Sequence, residues 1–508
     1  MSKPSRRANR EAIKQQRKDK NRVAKQLRER QKSEGLNPFA QTTTANHMCE
    51  YKTVAEERAA RMEAMSEHVR IIRCKLPLLL KQLSRIPDPR NPKKIKHKLT
   101  VLMLYGILTF VLQMTSRREA NRTISRPMFM ENLKVLFPEL ENLPHHDTLM
   151  RLLSGIDVNQ IERIHIELVR HFIRKKKFQR YLIHHCYPIA IDGTQKFVRS
   201  WLWTEQCLER EVKKGEGTQR HYSVYVLEAS LAFYDGMTIP LMSEFLNYTE
   251  GDTEKSKQDC ELKGFYRLAK RIKEAFPRLR IMVLLDGLYA NGPVIELCRK
   301  HKWEFMIVLK DTCLPSLWEE FEGLKGLEVN NHLNRTWGNR KQHFQWVNDI
   351  AYYYGSNEKK KQIVHVVVCE ENWEEVAKDA ATIVTKKGRH AWISSKPLDK
   401  WNIHEQCNLG ARHRWGIESG FLVEKRQGYQ YEHCFSYNWN AMKGYHYLMR
   451  LGHMFNVLAH YSERLVSMVK EMGIRGIIHF IRETISGPWL DAVWVKERLE
   501  APFQLRLV

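Results

Sequence analysis

The sequence predicts an α/β protein preceded by an all-helical region. Three observations carry this. From Tyr187 onward, short apolar runs alternate with amphipathic stretches. Between residues 51 and 180, apolar residues recur at helical spacing instead. At 508 residues the chain exceeds what one hydrophobic core organises, so two to four domains are expected.

Residues 1–50 read as a basic arm. Residues 1–35 hold 13 Lys/Arg against 4 Asp/Glu and almost no apolar side chains. Nothing in that composition offsets the entropy of ordering, so disorder is expected of the segment alone. Residues 51–180 read as an all-helical region with basic edges. Val54, Met62, Met65, Val69 and Ile72 mark its first helix, which Pro77 ends or kinks. The apolar stretch Leu99–Met114 is shorter than the ~18 residues of a bilayer span and reads as a buried helix. Asp147 or Thr148 is placed to cap a helix, and another covers residues 161–178.

Residues 181–311 read as the first part of an α/β domain. Strands are expected at Tyr187–Asp192, Tyr222–Phe233, Met237–Phe245, Arg280–Asp286 and Glu304–Leu309. Tyr234-Asp-Gly is turn chemistry that joins the second and third into a hairpin. Helices are expected at Asp259–Phe276 and Gly292–His301, giving a partly parallel sheet. Residues 312–400 read as a less regular, β-rich insertion, with strands at Ile363–Cys369, Ala391–Ser394 and, more weakly marked, Ile350–Tyr354. Residues 401–460 return to that α/β domain with a helix at Glu405–Lys425, and residues 461–508 form a helical C-terminal tail.

A formal net charge of +26, from 84 Lys+Arg and 58 Asp+Glu, attracts polyanions and makes binding sensitive to salt. Charge alone leaves open whether the polyanion is nucleic acid or a membrane surface. Ten cysteines are scattered with no C-x-x-C spacing, which excludes a zinc ribbon and a paired redox motif. The polar, basic N-terminus has no apolar signal region, so a cytoplasmic location with reduced, buried cysteines is expected.

Three acidic residues carry the chemistry. Asp192 ends Tyr187-Pro-Ile-Ala-Ile-Asp, and Asp286 ends Ile281-Met-Val-Leu-Leu-Asp. Each is followed by Gly, which lets substrate or metal approach the backbone at a strand end. Glu418 stands in Arg414-Trp-Gly-Ile-Glu418, seven residues before Lys425. At about 100° per residue, Glu418 lies about 40° and Lys425 about 20° from Arg414, so all three share one helical face. Arg414 and Glu418 also have the spacing of a simple surface ion pair. Three carboxylates suit Mg²⁺, and basic residues beside them suit phosphate.

This order of Asp, Asp and Glu on strand, strand and helix resembles the DDE transposases of bacterial insertion sequences, whose catalytic domain is RNase H-like. One branch carries a tyrosine–arginine–glutamate–lysine signature with two, three and six intervening residues. Arg414, Glu418 and Lys425 match it, whereas position 411, where the tyrosine would stand, is Ala. The 131 residues between Asp286 and Glu418 are similar to the β-rich insertion of that branch.

The resemblance implies that Asp192, Asp286 and Glu418 are catalytic and bind two Mg²⁺ or Mn²⁺ ions, and that Arg414 and Lys425 hold the DNA backbone. It implies cleavage and strand transfer on double-stranded DNA, at both transposon ends and target, by a homodimer on paired ends, near the bacterial nucleoid. Two rival readings use the same residues: a nuclease of this fold without strand transfer, and a catalytically silent DNA-binding descendant.

Overall fold

The computed structural model describes residues 6–39, 46–140, 142–214, 217–247, 257–356, 359–377 and 382–508. Positions 1–5 and 40–45 of the expected arm lie outside the described residues. The helices are α1 (Arg6–Ser33), α2 (Val54–Arg73), α3 (Leu76–Leu83), α4 (Leu99–Val111), α5 (Arg117–Ile124), α6 (Pro127–Leu136), α7 (His146–Gly155), α8 (Asn159–Arg174), α9 (Lys257–Ala275), α10 (Gly292–His301), α11 (Pro315–Leu324), α12 (Gly416–Arg426), α13 (Trp439–His460), α14 (Val466–Ser486) and α15 (Ala492–Glu500). The strands are β1 (Tyr187–Arg199), β2 (Leu208–Lys214), β3 (Gly217–Ala232), β4 (Thr238–Leu246), β5 (Ile281–Leu285), β6 (Glu304–Val308), β7 (His332–Trp337), β8 (Arg340–Tyr354), β9 (Lys360–Val376) and β10 (Ile383–Ser394). The chain divides into two compact units, one of residues 1–43 and 282–411, the other of residues 44–281 and 412–508.

The second, helix-rich unit is organised around α13, whose residues are buried almost without interruption from Ala441 to His460. Glycines let it approach its neighbours. A Cβ at Gly452 would stand 3.1 Å from the Val111 amide nitrogen and 3.2 Å from the Ile107 carbonyl, so α4 and α13 meet backbone to backbone. That burial explains the uninterrupted apolar run of α4. Among the described residues no helix is long and apolar enough to cross a membrane. Helix α2 begins where Thr53 accepts from the Glu56 amide, while Glu56 accepts from the Lys52 amide. Pro77 falls in the first turn of α3, where its missing N–H costs nothing. The cap of α7 differs from expectation. His145 is the capping residue, its Nδ1 accepting from the Asp147 amide at 3.2 Å. Asp147 sits in the first turn and reaches Arg117.

In this unit β1 pairs antiparallel with β3, and β3 pairs antiparallel with β2 and with β4. The expected hairpin is β3–β4. Gly236 takes φ +93° in its turn, and Asp235 accepts from the Met237 amide.

In the β-rich unit β5 runs parallel to β6, with α10 between them in sequence. Beyond β6 the order β10–β9–β8–β7 is antiparallel throughout. The expected strands at 350–354, 363–369 and 391–394 are pieces of the much longer β8, β9 and β10. Their charged extensions, such as Glu370–Glu375 and Lys386–Arg389, conceal the strands from apolar patterning, because cross-strand pairs such as Lys386 with Glu375 satisfy them. Helix α11 was not expected in this segment.

The N-terminal arm also differs. Arg6–Ser33 is helical. Its end docks on the strands of its own unit: Arg30 pairs with Glu374, the Asn37 amide donates to the Gly338 carbonyl, and Phe39 packs edge-on against Trp337. Composition foretold no order for the segment in isolation; packing against β7–β9 supplies the contacts it lacks alone.

Candidate active site

Asp192 lies in the middle of β1, opposite Glu228 on β3. Residues 187–191 before it are buried, and Asp192 is the point at which the strand emerges. Its Oδ1 accepts from the Gly193 amide at 3.0 Å. Gly193 is required by close approach: a Cβ there would stand 2.6 Å from the Tyr225 ring and 3.1 Å from Glu261 Oε1. Burial, together with Glu261 and Asp192, pushes the Tyr225 hydroxyl far above the ordinary tyrosine value, so it remains a neutral donor.

Glu418 occupies the first turn of α12. It meets Asp192 through Arg414. The guanidinium lies 2.8 Å from Glu418 Oε1 and 3.7 Å from Asp192 Oδ2. The Arg414 side chain is only 8% exposed, against 26% for Asp192 and 48% for Glu418. A buried cation therefore draws two accessible carboxylates from distant parts of the chain toward one point.

The winding around Arg414 corrects the expectation of a single helix over 405–425. His404–Gly410 is wound as a wide π-helix, Ala411–Trp415 as a tight 3₁₀ turn, and only from Gly416 is the winding α. The shared face computed at a uniform 100° per residue therefore does not exist as such. The Arg414–Glu418 contact survives because it spans a single turn. Lys425 is in the last turn of α12. Its Nζ donates to the Gln195 carbonyl at 3.3 Å and pairs with Glu432 at 3.2 Å. It thus ties α12 to the same strand that carries Asp192.

Asp286 belongs to the β-rich unit. It follows the fully buried β5 and opens a short 3₁₀ turn, Gly287–Tyr289. Lys310, two residues beyond β6, reaches its Oδ2 at 3.1 Å. Gly287 makes room for that lysine, since a Cβ there would stand 2.9 Å from Lys310 Cγ and Cδ. Sequence reasoning missed Lys310. The available signal was a cation at the carboxyl end of the strand parallel to the one that ends in Asp286. Asp311, beside it, pairs with Arg389 as an ordinary loop residue.

The aromatic residues near these motifs divide in role. Trp203 packs between Phe197 and Trp439, whereas Trp201 is half exposed against Tyr437. His433 stacks edge-on against Phe435.

The three candidate ligands offer only carboxylate oxygens, the hard donor set that suits a divalent cation such as Mg²⁺. Arg414 already holds positive charge between Asp192 and Glu418, as Lys310 does beside Asp286, so each position favours a cation. Among the described residues no three His, Cys, Asp or Glu side chains gather closely enough to hold a metal ion.

Two family models match the chain. Residues 255–454 match the Transposase DDE domain, and residues 80–169 match a DDE_Tnp_1-associated model. Asp286, Arg414, Glu418 and Lys425 fall within the first match, and Asp192 falls between the two. No curated protein matches the chain. The two matches together span more than half of the sequence, and the α/β fold with its mixed strands and helical N-terminal region is consistent with an RNase H-like transposase. The chain belongs to the DDE transposases.

Proposed function

We propose that this DDE transposase cuts DNA at the ends of an insertion sequence and joins the freed 3′ ends to a target. Asp192, Asp286 and Glu418 would hold two Mg²⁺ or Mn²⁺ ions. The observation that carries the reading is the meeting of Asp192 and Glu418 on the buried guanidinium of Arg414. A site selected only for binding polyanions gains nothing from two solvent-accessible carboxylates beside its basic residues.

Transposases of this family use divalent ions, which when bound activate the attacking oxygen and steady the leaving one. The protein's own residues do the rest. Arg414 keeps Asp192 and Glu418 oriented before any ion binds, and offsets their mutual repulsion. Lys425, anchored to β1 at Gln195, presents positive charge to the DNA backbone beside Asp192. Lys310 does the same at Asp286. Tyr225, held neutral against Glu261, adds no competing charge beside Asp192.

Duplex DNA would also be held by the helical region 51–180. On α5, Arg118 and Arg122 stand one turn apart on the exposed face opposite buried Ala120 and Ile124, and exposed Arg126 follows. Residues 312–400 would act as the insertion and 401–460 would complete the catalytic domain. A homodimer on paired ends, working at the nucleoid, completes the reading.

The test incubates the protein with duplexes bearing the element's own ends and Mg²⁺, and resolves the products on a gel. Joined products support transposition. Nicks without joining indicate a nuclease. Binding without cleavage under Mg²⁺ or Mn²⁺ indicates a silent binder and overturns the proposal.

A further inference from the structure

Helix α12 carries Glu418, and both of its ends are pinned. At the N-terminal end the Thr238 hydroxyl donates to the Gly416 carbonyl at 3.1 Å. Gly416 lies so close to β3 and β4 that a Cβ there would stand 3.1 Å from Thr238 Oγ1 and 3.4 Å from the Ala232 Cβ. At the other end, Glu424 is fully buried. It accepts from Arg450 Nη1 at 3.0 and 3.2 Å and from His453 Nδ1 at 2.7 Å.

Arg450 also reaches the other way. Its Nη2 lies 3.3 Å from Glu228, the residue paired across the sheet with Asp192. Glu228 is fully buried as well, and accepts from Ser243 Oγ at 2.6 Å, Tyr431 Oη at 3.1 Å and His446 Nε2 at 3.2 Å. Lys196, four residues after Asp192 on β1, donates to the Tyr431 carbonyl at 2.9 Å and to His446 Nδ1 at 3.4 Å. Burial works against the Glu228 carboxylate, yet Arg450 and His446 hold it ionised, at about 2. Burial keeps His446 neutral, at about 4. Two buried anions are thus balanced by two buried cations, Arg450 and Lys196.

Such a cluster is a poor way to gain stability. Desolvating ions costs as much as their attraction returns, and apolar packing of similar volume often does as well. What it supplies is geometry, because an ion pair bridged at 3 Å resists the sliding that apolar contacts allow. We infer that the Glu228–Arg450–Glu424 bridge is a positioning device: it fixes α12 along its axis against β1 and β3, and so sets the distance between Glu418 and Asp192. None of the three bridge residues touches substrate. The inference rests on reading Asp192 and Glu418 as metal ligands.

The experiment measures Mn²⁺ bound to the full-length protein by electron paramagnetic resonance, without DNA. Arg450→Lys keeps the charge but loses the planar fork that spans both carboxylates. Tyr431→Phe is the milder variant, removing only the hydroxyl bond to Glu228. Residues that orient metal ligands typically alter metal affinity roughly 10–100-fold when replaced. Arg450→Lys is expected to weaken Mn²⁺ binding by that order, and Tyr431→Phe by less. The Mg²⁺ needed for half-maximal cleavage should rise in parallel, while DNA affinity in chelator is unchanged. Glu418→Gln separates the two claims. If it leaves Mn²⁺ binding intact, the ligand reading fails. If it abolishes binding while the folded bridge variants bind Mn²⁺ like the wild type, the positioning inference fails alone.

Discussion

Asp192 and Asp286 follow the same local grammar, an apolar run, a carboxylate and a glycine, yet the two units treat their charges differently. In the helix-rich unit the cation at Asp192 comes from Arg414, more than two hundred residues away, and the surroundings bury Glu228, Glu424, Lys196 and Arg450. In the β-rich unit the cation at Asp286 comes from nearby Lys310, which is half exposed. Cross-strand pairs there, such as Lys386 with Glu375, lie in solvent, although Glu371 is buried against Arg340 and His390. Buried ions fix distances because each must keep its partner. Exposed ions yield to water and salt. The helix-rich unit should therefore be sensitive to the loss of any of these buried charges, and the β-rich unit tolerant at its exposed pairs, Asp286 apart.

The largest effect tests the exception. Asp286→Asn and Asp192→Asn should each cut cleavage by roughly 10³-fold or more, the several kcal/mol of metal-borne stabilisation expected of such a ligand. DNA affinity measured in chelator should persist in both. Unchanged turnover in Asp286→Asn would remove it from the catalytic set.

Next is the buried bridge. Arg450→Met strands two carboxylates in the interior and should cost about 3–5 kcal/mol, read as a fall in the denaturant midpoint of the helix-rich unit. A variant as stable as wild type would show that water reaches Glu228 and Glu424.

Acid should act on the same unit. His68 is buried against Asn456 Oδ1, and burial holds it near 4 instead of 6.5. Its folded value is depressed, so the unfolded chain takes up the proton more readily. Stability is complete above pH 6.5 and falls as pH drops toward 4, by up to ~3 kcal/mol for this one group. His165 and His446, also held near 4 by burial, add to the trend. Replacing His68 with Gln should flatten the pH profile of thermal unfolding between those limits.

The smallest effect belongs to the exposed pair. Lys386→Ala should change stability by less than ~1 kcal/mol, and less still in high salt. A larger loss would mean that the β-rich unit also depends on its exposed charges.

Much of the local geometry around the candidate site was legible in the sequence because it is written in short segments. The runs before Asp192 and Asp286 are fully buried strands, which is why they are continuously apolar, and the Tyr234-Asp-Gly turn needs its glycine at positive φ. The spacing of Arg414 to Glu418 survives because one helical turn is local. The single helix over 405–425 was not legible, since π and 3₁₀ windings leave no distinct residue pattern. The order of α1 was not legible either. Its fixing contacts, Arg30 to Glu374 and Phe39 to Trp337, join residues hundreds of positions apart.

By itself the sequence determined which side chains end strands, where turns fall and that the chain carries a strongly positive field, because these depend on a few adjacent residues or on composition. Only the tertiary structure decided that Arg414 faces Asp192, that Lys310 faces Asp286 and that Glu424 and Glu228 share Arg450. Those pairings depend on which distant segments become neighbours, and on burial making an unmet charge too costly to leave.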